Sequence, residues 1–98
     1  MKHDLHDVCT QIRRDTVRSI YRAGSGHPGS SLSAVEIMAT LYFTDVFTCF
    51  PDRPHAPERD RFVLSKGHAA PAYYSILAHK GYFSLALLDT LRTVGSAL

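Results

Sequence analysis

One short run of strand-forming residues, in a sequence whose other patterns are helical, most constrains what this chain can fold into. Residues 61–65, Arg-Phe-Val-Leu-Ser, combine aromatic and aliphatic side chains between charged residues and Gly67. The run predicts a buried strand that passes through Gly67 into a helix. Because one strand with two unpaired edges cannot form a sheet, the pattern predicts a piece of a larger α/β layer or a subunit that needs another chain.

Apolar residues recur at helical spacing in the rest of the chain. The first predicted helix ends at Gly24, a residue able to take the left-handed conformation. The second begins near Ala34, because residues 33–36, Ser-Ala-Val-Glu, have the form of a capping box. A proline-rich loop occupies residues 50–60. The predicted helices cover about residues 4–23, 34–46, 68–80 and 84–93.

Two glycine-histidine motifs lie at joints between these elements. Residues 24–29 read Gly-Ser-Gly-His-Pro-Gly, and residues 65–68 read Ser-Lys-Gly-His. Glycines let the backbone approach a ligand closely, and an imidazole can bind a hydroxyl or move a proton near neutral pH. We therefore expect His27 and His68 to hold a polar ligand between them. Since His68 precedes a helix N-terminus, the expected ligand there is a phosphate or diphosphate.

Length and composition exclude several classes of protein. A chain of 98 residues with 45% hydrophobic and 20% charged residues is one small folded domain or a piece of a larger one. A net charge of +2 does not indicate a nucleic-acid or membrane partner. No apolar run is long enough to span a bilayer, so we expect a cytoplasmic protein. Cys9 and Cys49 lack the spacing of a zinc site and are expected to be two buried free thiols.

Some residues allow more than one interpretation. Arginines at positions 14, 18 and 22 follow one helix face, which is either a solvated face relieved by Asp15 or a phosphate-binding stripe. His55, in the proline-rich loop, is expected to face solvent rather than to bind a ligand. A metal site is a further alternative, which would use His27, His68 and His79.

Residues 12–15, 23–33 and 61–69 closely resemble the beginning of transketolase, and the likeness extends from about residue 10 to residue 96. Separately encoded N-terminal transketolase sections, which pair with a C-terminal section, are the most similar. The resemblance implies an α/β fold, namely the mostly helical N-terminal fragment of a thiamine-diphosphate-binding domain. One short parallel-type strand would lie near residues 61–65. Residues 1–98 would then form a single partial domain.

The resemblance also implies an activity and roles for residues of both motifs. Transketolases transfer a two-carbon ketol unit between sugar phosphates on thiamine diphosphate, with Mg²⁺ or another divalent cation holding the diphosphate. His27 corresponds to a catalytic and substrate-binding histidine that contacts the hydroxyls of the sugar. His68 and Gly67 correspond to residues that lie against the diphosphate of the cofactor.

Several parts of the family pattern are absent from this sequence. A third Gly-His-Pro motif should follow shortly after residue 96, and a later Gly-Asp-Gly run with an asparagine binds the cation. The acidic residue that activates the cofactor belongs to another domain. The resemblance therefore implies catalysis only together with a C-terminal section or the remainder of the enzyme, in a homo- or hetero-oligomer. The alternative is a noncatalytic remnant or interaction module.

Overall fold

Helices make up the regular structure of the described part of the chain. The computed structural model describes residues 4–24, 26, 28–91, 95, 96 and 98. It contains the α-helices α1 (Leu5–Ala23), α2 (Pro28–Leu32), α3 (Val35–Phe43) and α4 (Ala70–Lys80). Two 3₁₀ segments accompany them, a 3₁₀ turn (Gly67–Ala69) and a 3₁₀ helix (Leu85–Thr90).

The first predicted helix is confirmed at both ends. The Asp4 carboxylate accepts a hydrogen bond from the His6 backbone N–H at 2.9 Å, which satisfies one of the unpaired donors of the first turn. Gly24 ends the helix in the left-handed conformation, with φ 73°, and its N–H donates to the Ile20 carbonyl at 3.0 Å. Gly24 acts within one turn of the chain, so the sequence sufficed to locate this end of the helix.

The predicted capping box is wrong, although α3 begins where the sequence indicates. Ala34 is the N-cap residue and no side chain caps the helix. The Ser33 hydroxyl instead donates to the Ser30 carbonyl at 3.1 Å, and Glu36 forms an ion pair with Arg13 on α1. A charged partner on a neighbouring helix has replaced the local partner. α3 also ends earlier than predicted, because the backbone becomes extended at the following residue, Thr44.

The predicted strand over residues 61–65 is wrong. No strand occurs among the described residues, and none of their backbone hydrogen bonds involves residues 61–65. Exposure alternates along the segment. Phe62 and Leu64 pack against the core, whereas Val63 is 86% exposed. The side chains therefore follow a strand pattern, but the backbone has no neighbouring strand with which to form a ladder.

The C-terminal predictions are confirmed in part. α4 matches the helix predicted over residues 68–80, apart from a first turn that is 3₁₀, and Gly81 ends it with φ 107°. The helix predicted over residues 84–93 is a 3₁₀ helix, and the Ser84 hydroxyl accepts a hydrogen bond from the Ala86 N–H at 3.2 Å. Residues 92–94 lie outside the described part of the chain.

The core lies between α1, α3 and α4. Each helix contributes side chains that are fully buried, namely Ile12, Val35, Met38, Ala39, Ala72 and Ile76. Polar contacts join the same helices, since the Ser75 hydroxyl donates to the Ile12 carbonyl at 3.3 Å. His79 on α4 and Asp15 on α1 form a short contact of 2.5 Å between Nε2 and Oδ2. α2 and the 3₁₀ turn pack together at the edge of this core.

Candidate functional site

The second glycine-histidine motif occupies the 3₁₀ turn that leads into α4. Ala69 and Pro71 are buried and anchor the turn to the core, whereas Gly67 and His68 are exposed. A Cβ atom added at Gly67 would have no heavy atom within 4 Å, so open space lies beside this backbone. The turn therefore presents a histidine and an uncovered stretch of backbone at the beginning of a helix.

The first motif begins at the end of α1 and continues into α2. Gly26 has φ 143°, and a Cβ atom there would lie 3.0 Å from the side chain of Ile20. This position therefore favours glycine on both conformational and steric grounds. Ser25 and His27 lie outside the described residues. Pro28 begins α2, where a proline is well tolerated because its missing N–H has no helical partner to lose.

Two hydrogen bonds join the segments of the two motifs. The Ser31 hydroxyl on α2 donates to the backbone carbonyl of His68 at 3.4 Å. The Lys66 ammonium group donates to the Ser33 hydroxyl at 2.6 Å. These contacts place the segment that directly follows the first motif beside the second motif. The relative position of the two imidazoles remains a prediction.

Sequence reasoning missed these two contacts. Ser31 is fully buried, which is unusual for serine and is explained here by its hydrogen bond to the His68 carbonyl. The available signal was the run of small polar residues directly after the first motif. Nothing local, however, indicates which distant backbone group such a hydroxyl will meet.

We expect Ser31→Ala to loosen the contact between the motifs. Loss of the hydroxyl leaves the His68 carbonyl without this donor, and should lower the free energy of unfolding by about 0.5–1.5 kcal/mol. Urea unfolding measures that loss, and amide hydrogen exchange over residues 66–69 should become faster. Ser65→Ala, at an exposed serine of the second motif, is the control and should change both measurements little. Unchanged exchange in Ser31→Ala would contradict the assigned contact.

A cluster of aromatic side chains lies under the proline-rich loop. The hydroxyls of Tyr42 and Tyr73 are 3.0 Å apart, and the Phe62 and Tyr73 rings pack with centroids 5.2 Å apart. Burial and then the hydrogen bond with Tyr73 raise the pKa of Tyr42 well above its ordinary range. Burial and a hydrogen bond with the Cys49 thiol raise the pKa of Tyr82 to about 12.

These raised pKa values predict a loss of stability at alkaline pH. Unfolded tyrosines lose their protons near pH 10, whereas Tyr42 and Tyr82 keep theirs in the folded chain. The folded state then binds more protons, so the free energy of unfolding should fall as the pH rises from about 10 toward 12. Urea unfolding across this range measures the slope, and Tyr42→Phe should make it shallower. An identical slope in the wild type and in Tyr42→Phe would contradict the prediction.

Other candidate groups of the sequence are engaged elsewhere. Arg18 and Arg22 both pair with Asp89, at 3.6 and 3.2 Å, so they form a surface ion pair rather than a phosphate-binding stripe. Asp15, expected to relieve that arginine face, contacts His79 instead. His55 is exposed, as predicted.

The metal-site alternative would use His27, which lies outside the described residues, so that alternative stays a prediction. No group of three histidine, cysteine, aspartate or glutamate side chains among the described residues could hold a metal ion. Cys9 and Cys49 are free thiols as predicted, but only Cys9 is buried, and Cys49 is half-buried. The helices within the described ranges are all too short or too polar to cross a membrane.

Comparison with known proteins agrees with the two motifs. The family model described as "Transketolase, thiamine diphosphate binding domain" matches residues 5–98. The chain therefore belongs to the transketolase family, in the region of its thiamine diphosphate-binding domain.

Three relatives show the extent of the similarity. The chain is 50% identical to the 6-deoxy-6-sulfo-D-fructose transketolase subunit SqwG of Clostridium sp. (strain MSTE9), over 97% of this chain and 34% of that protein. It is 45% identical to the transketolase of Homo sapiens, over 96% of this chain and 15% of that protein. It is 43% identical to an apulose-4-phosphate transketolase subunit of Phocaeicola vulgatus, over 88% of this chain and 30% of that protein. The chain thus spans about a third or less of these relatives.

Proposed function

We propose that this chain is the N-terminal part of a transketolase. Assembled with the remaining segments, it would transfer a two-carbon ketol unit from a ketose phosphate to an aldose phosphate. The match of the thiamine diphosphate-binding domain over residues 5–98 carries this proposal. The Ser31 contact with the His68 carbonyl adds support, because it brings together the segments in which the family's motifs lie.

The second motif has a chemistry that suits the diphosphate of the cofactor. His68 and Gly67 are exposed at the start of α4, where the helix dipole favours an anionic group. The open space beside Gly67 leaves room for a bulky anion against the backbone. We assign both residues to cofactor binding. When bound, thiamine diphosphate supplies the electron sink for making and breaking the carbon–carbon bond.

We assign His27 to the sugar. A neutral imidazole can bind a hydroxyl of the substrate and pass a proton as the carbonyl becomes an alcohol. Pro28 and α2 follow it directly, and α2 packs on the 3₁₀ turn that carries His68. A histidine at this place in the sequence would therefore act close to a diphosphate held by the second motif.

The cation that binds the diphosphate, Mg²⁺ or a similar ion, would need ligands from outside this chain. The described residues offer no group of three suitable side chains. The chain also spans 34% or less of its relatives, two of which are named as transketolase subunits. We therefore propose a homo- or hetero-oligomer in which another polypeptide or polypeptide segment contributes the cation site.

The segment over residues 61–65 supports the view that these 98 residues form one partial domain. Residues 61–65 alternate between the core and solvent, and their backbone groups form no hydrogen bonds with other described backbone groups. Val63, between two core-facing residues, is 86% exposed, so its side chain is available to a neighbouring segment. Contact with the remainder of the domain would cover Val63 and give these backbone groups hydrogen-bonding partners.

Mixing experiments test the proposal. The purified chain is combined with the polypeptide that carries the remaining transketolase segments, thiamine diphosphate and Mg²⁺, and ketol transfer between sugar phosphates is followed. We expect activity from the mixture and none from either component alone. A mixture that forms a complex but transfers no ketol unit from any sugar phosphate tested would instead support the noncatalytic alternative.

A further inference from the structure

A surface on the outer side of α1 exposes large apolar side chains among arginines. Val17 is 46% exposed and Tyr21 is 84% exposed, although both are large apolar or aromatic residues. With Leu32 of α2 they line a shallow depression of about 600 Å³. We call this the α1 surface, which consists of Arg13, Arg14, Val17, Arg18, Tyr21 and Leu32.

The arginines of the α1 surface differ in their partners. Arg13 pairs with Glu36, and Arg18 pairs with Asp89 at 3.6 Å. The ion pairs within the described ranges leave Arg14 without a carboxylate. The α1 surface therefore combines an apolar floor with a positive charge that is not neutralised. An arginine beside exposed aromatic area is typical of the residues that dominate protein–protein binding.

This combination favours a protein segment over a phosphate polymer as the occupant. Binding to nucleic acid requires several cations that contact successive phosphates, and two of the three arginines here already hold carboxylates. Val17 and Leu32 offer nothing to a phosphate, but they would bury well against apolar side chains. A protein segment with apolar residues beside an aspartate or glutamate would cover Val17 and Leu32 and pair with Arg14.

The position of the α1 surface connects it with the candidate site. Tyr21 lies in the last turn of α1 and Leu32 is the last residue of α2, so the two residues flank the first motif along the chain. A polypeptide seated on the α1 surface would therefore contact residues that precede and follow the first motif. We propose that the polypeptide completing the enzyme docks here, through a segment of apolar residues beside a carboxylate. The proposal rests on the proposed function, which requires such a polypeptide.

Affinity measurements on matched variants test the docking surface. The full chain and its Tyr21→Ala and Arg14→Glu variants are titrated with the polypeptide that carries the remaining transketolase segments. Tyr21→Ala should weaken association about tenfold or more. Arg14→Glu should weaken association more at low salt than at high salt. It removes the attraction between Arg14 and a carboxylate of the partner, and salt screens that attraction. The control variants Val46→Ala and Arg53→Glu change exposed residues elsewhere and should bind as the wild type does.

Three results would overturn the docking surface. The first is unchanged affinity in Tyr21→Ala and Arg14→Glu. The second is a loss equally large in the two control variants, because the effect would then not be local. The third is self-association of the chain that the α1 variants abolish, since a second copy would then be the occupant. Ketol transfer by the wild-type mixture is measured in parallel and tests the proposed function separately, so an active mixture with unchanged variant affinities overturns the α1 surface alone.

Discussion

Replacing His27 with alanine is expected to lower ketol transfer by the assembled enzyme by about 10²- to 10⁴-fold, the usual contribution of a positioned proton-transfer group. The loss should fall mainly on kcat if the imidazole moves a proton in the transition state, and on KM as well if it holds a hydroxyl of the sugar. Steady-state kinetics with a saturating ketose phosphate separate the two effects. Binding of the remaining polypeptide is measured in parallel, so that a loss of turnover is distinguished from a loss of assembly.

His55→Ala is the matched control for that experiment. His55 is an exposed histidine of the proline-rich loop, and it belongs to neither motif. Its replacement should leave kcat and KM within about twofold of the wild type, as for a surface substitution. Full activity in His27→Ala would contradict the role assigned to this histidine, however well the chain assembles.

Gly26→Ala should have the second largest effect, through the backbone. The residue has φ 143°, and an added Cβ would lie 3.0 Å from two carbon atoms of the Ile20 side chain. Ile20 is only 8% exposed and belongs to the buried face of α1, so it has little room to move. The backbone strain alone costs about 1–3 kcal/mol. We expect a lower free energy of unfolding, and a displaced His27 should reduce ketol transfer by about 10²-fold.

Gly29→Ala provides the comparison for the effect on stability. This glycine lies within α2, and an added Cβ would have no heavy atom within 4 Å. Alanine is favoured over glycine inside a helix, so the free energy of unfolding should stay the same or rise slightly. Urea unfolding of the two variants measures the difference. An equal loss in the free energy of unfolding at both positions would show that backbone strain at Gly26 is not the cause of the destabilisation.

The sequence predicted best those features that depend on neighbouring residues. Gly24 ends α1, as predicted, through contacts within a single turn. The same reasoning failed for the capping box, because Glu36 pairs with Arg13 on another helix. It failed also for residues 61–65, since a strand requires a partner that the described residues do not supply. Only the alternating burial of the side chains in that segment follows the predicted pattern.

In the candidate site, too, local features were predicted and contacts between distant residues were not. The spacing of glycine and histidine identified both motifs, and family resemblance assigned their roles. The contact that holds their segments together, from Ser31 to the His68 carbonyl, spans 37 positions along the chain. Arg18 and Arg22 likewise share Asp89 of the 3₁₀ helix, which helix periodicity could not indicate. Such pairings follow from how the helices pack, and the pattern of one helix does not contain that information.

The central claim is that His27 and His68 face one cofactor and one sugar. Its most direct test is the histidine ¹⁵N spectrum of the assembled enzyme, with only this chain labelled and each signal assigned by substitution. Thiamine diphosphate and Mg²⁺ should shift the ring nitrogens of His68, and subsequent addition of a ketose phosphate should shift those of His27. The signals of His55 should not move. Signals of His27 and His68 that stay in place through both additions would contradict the account.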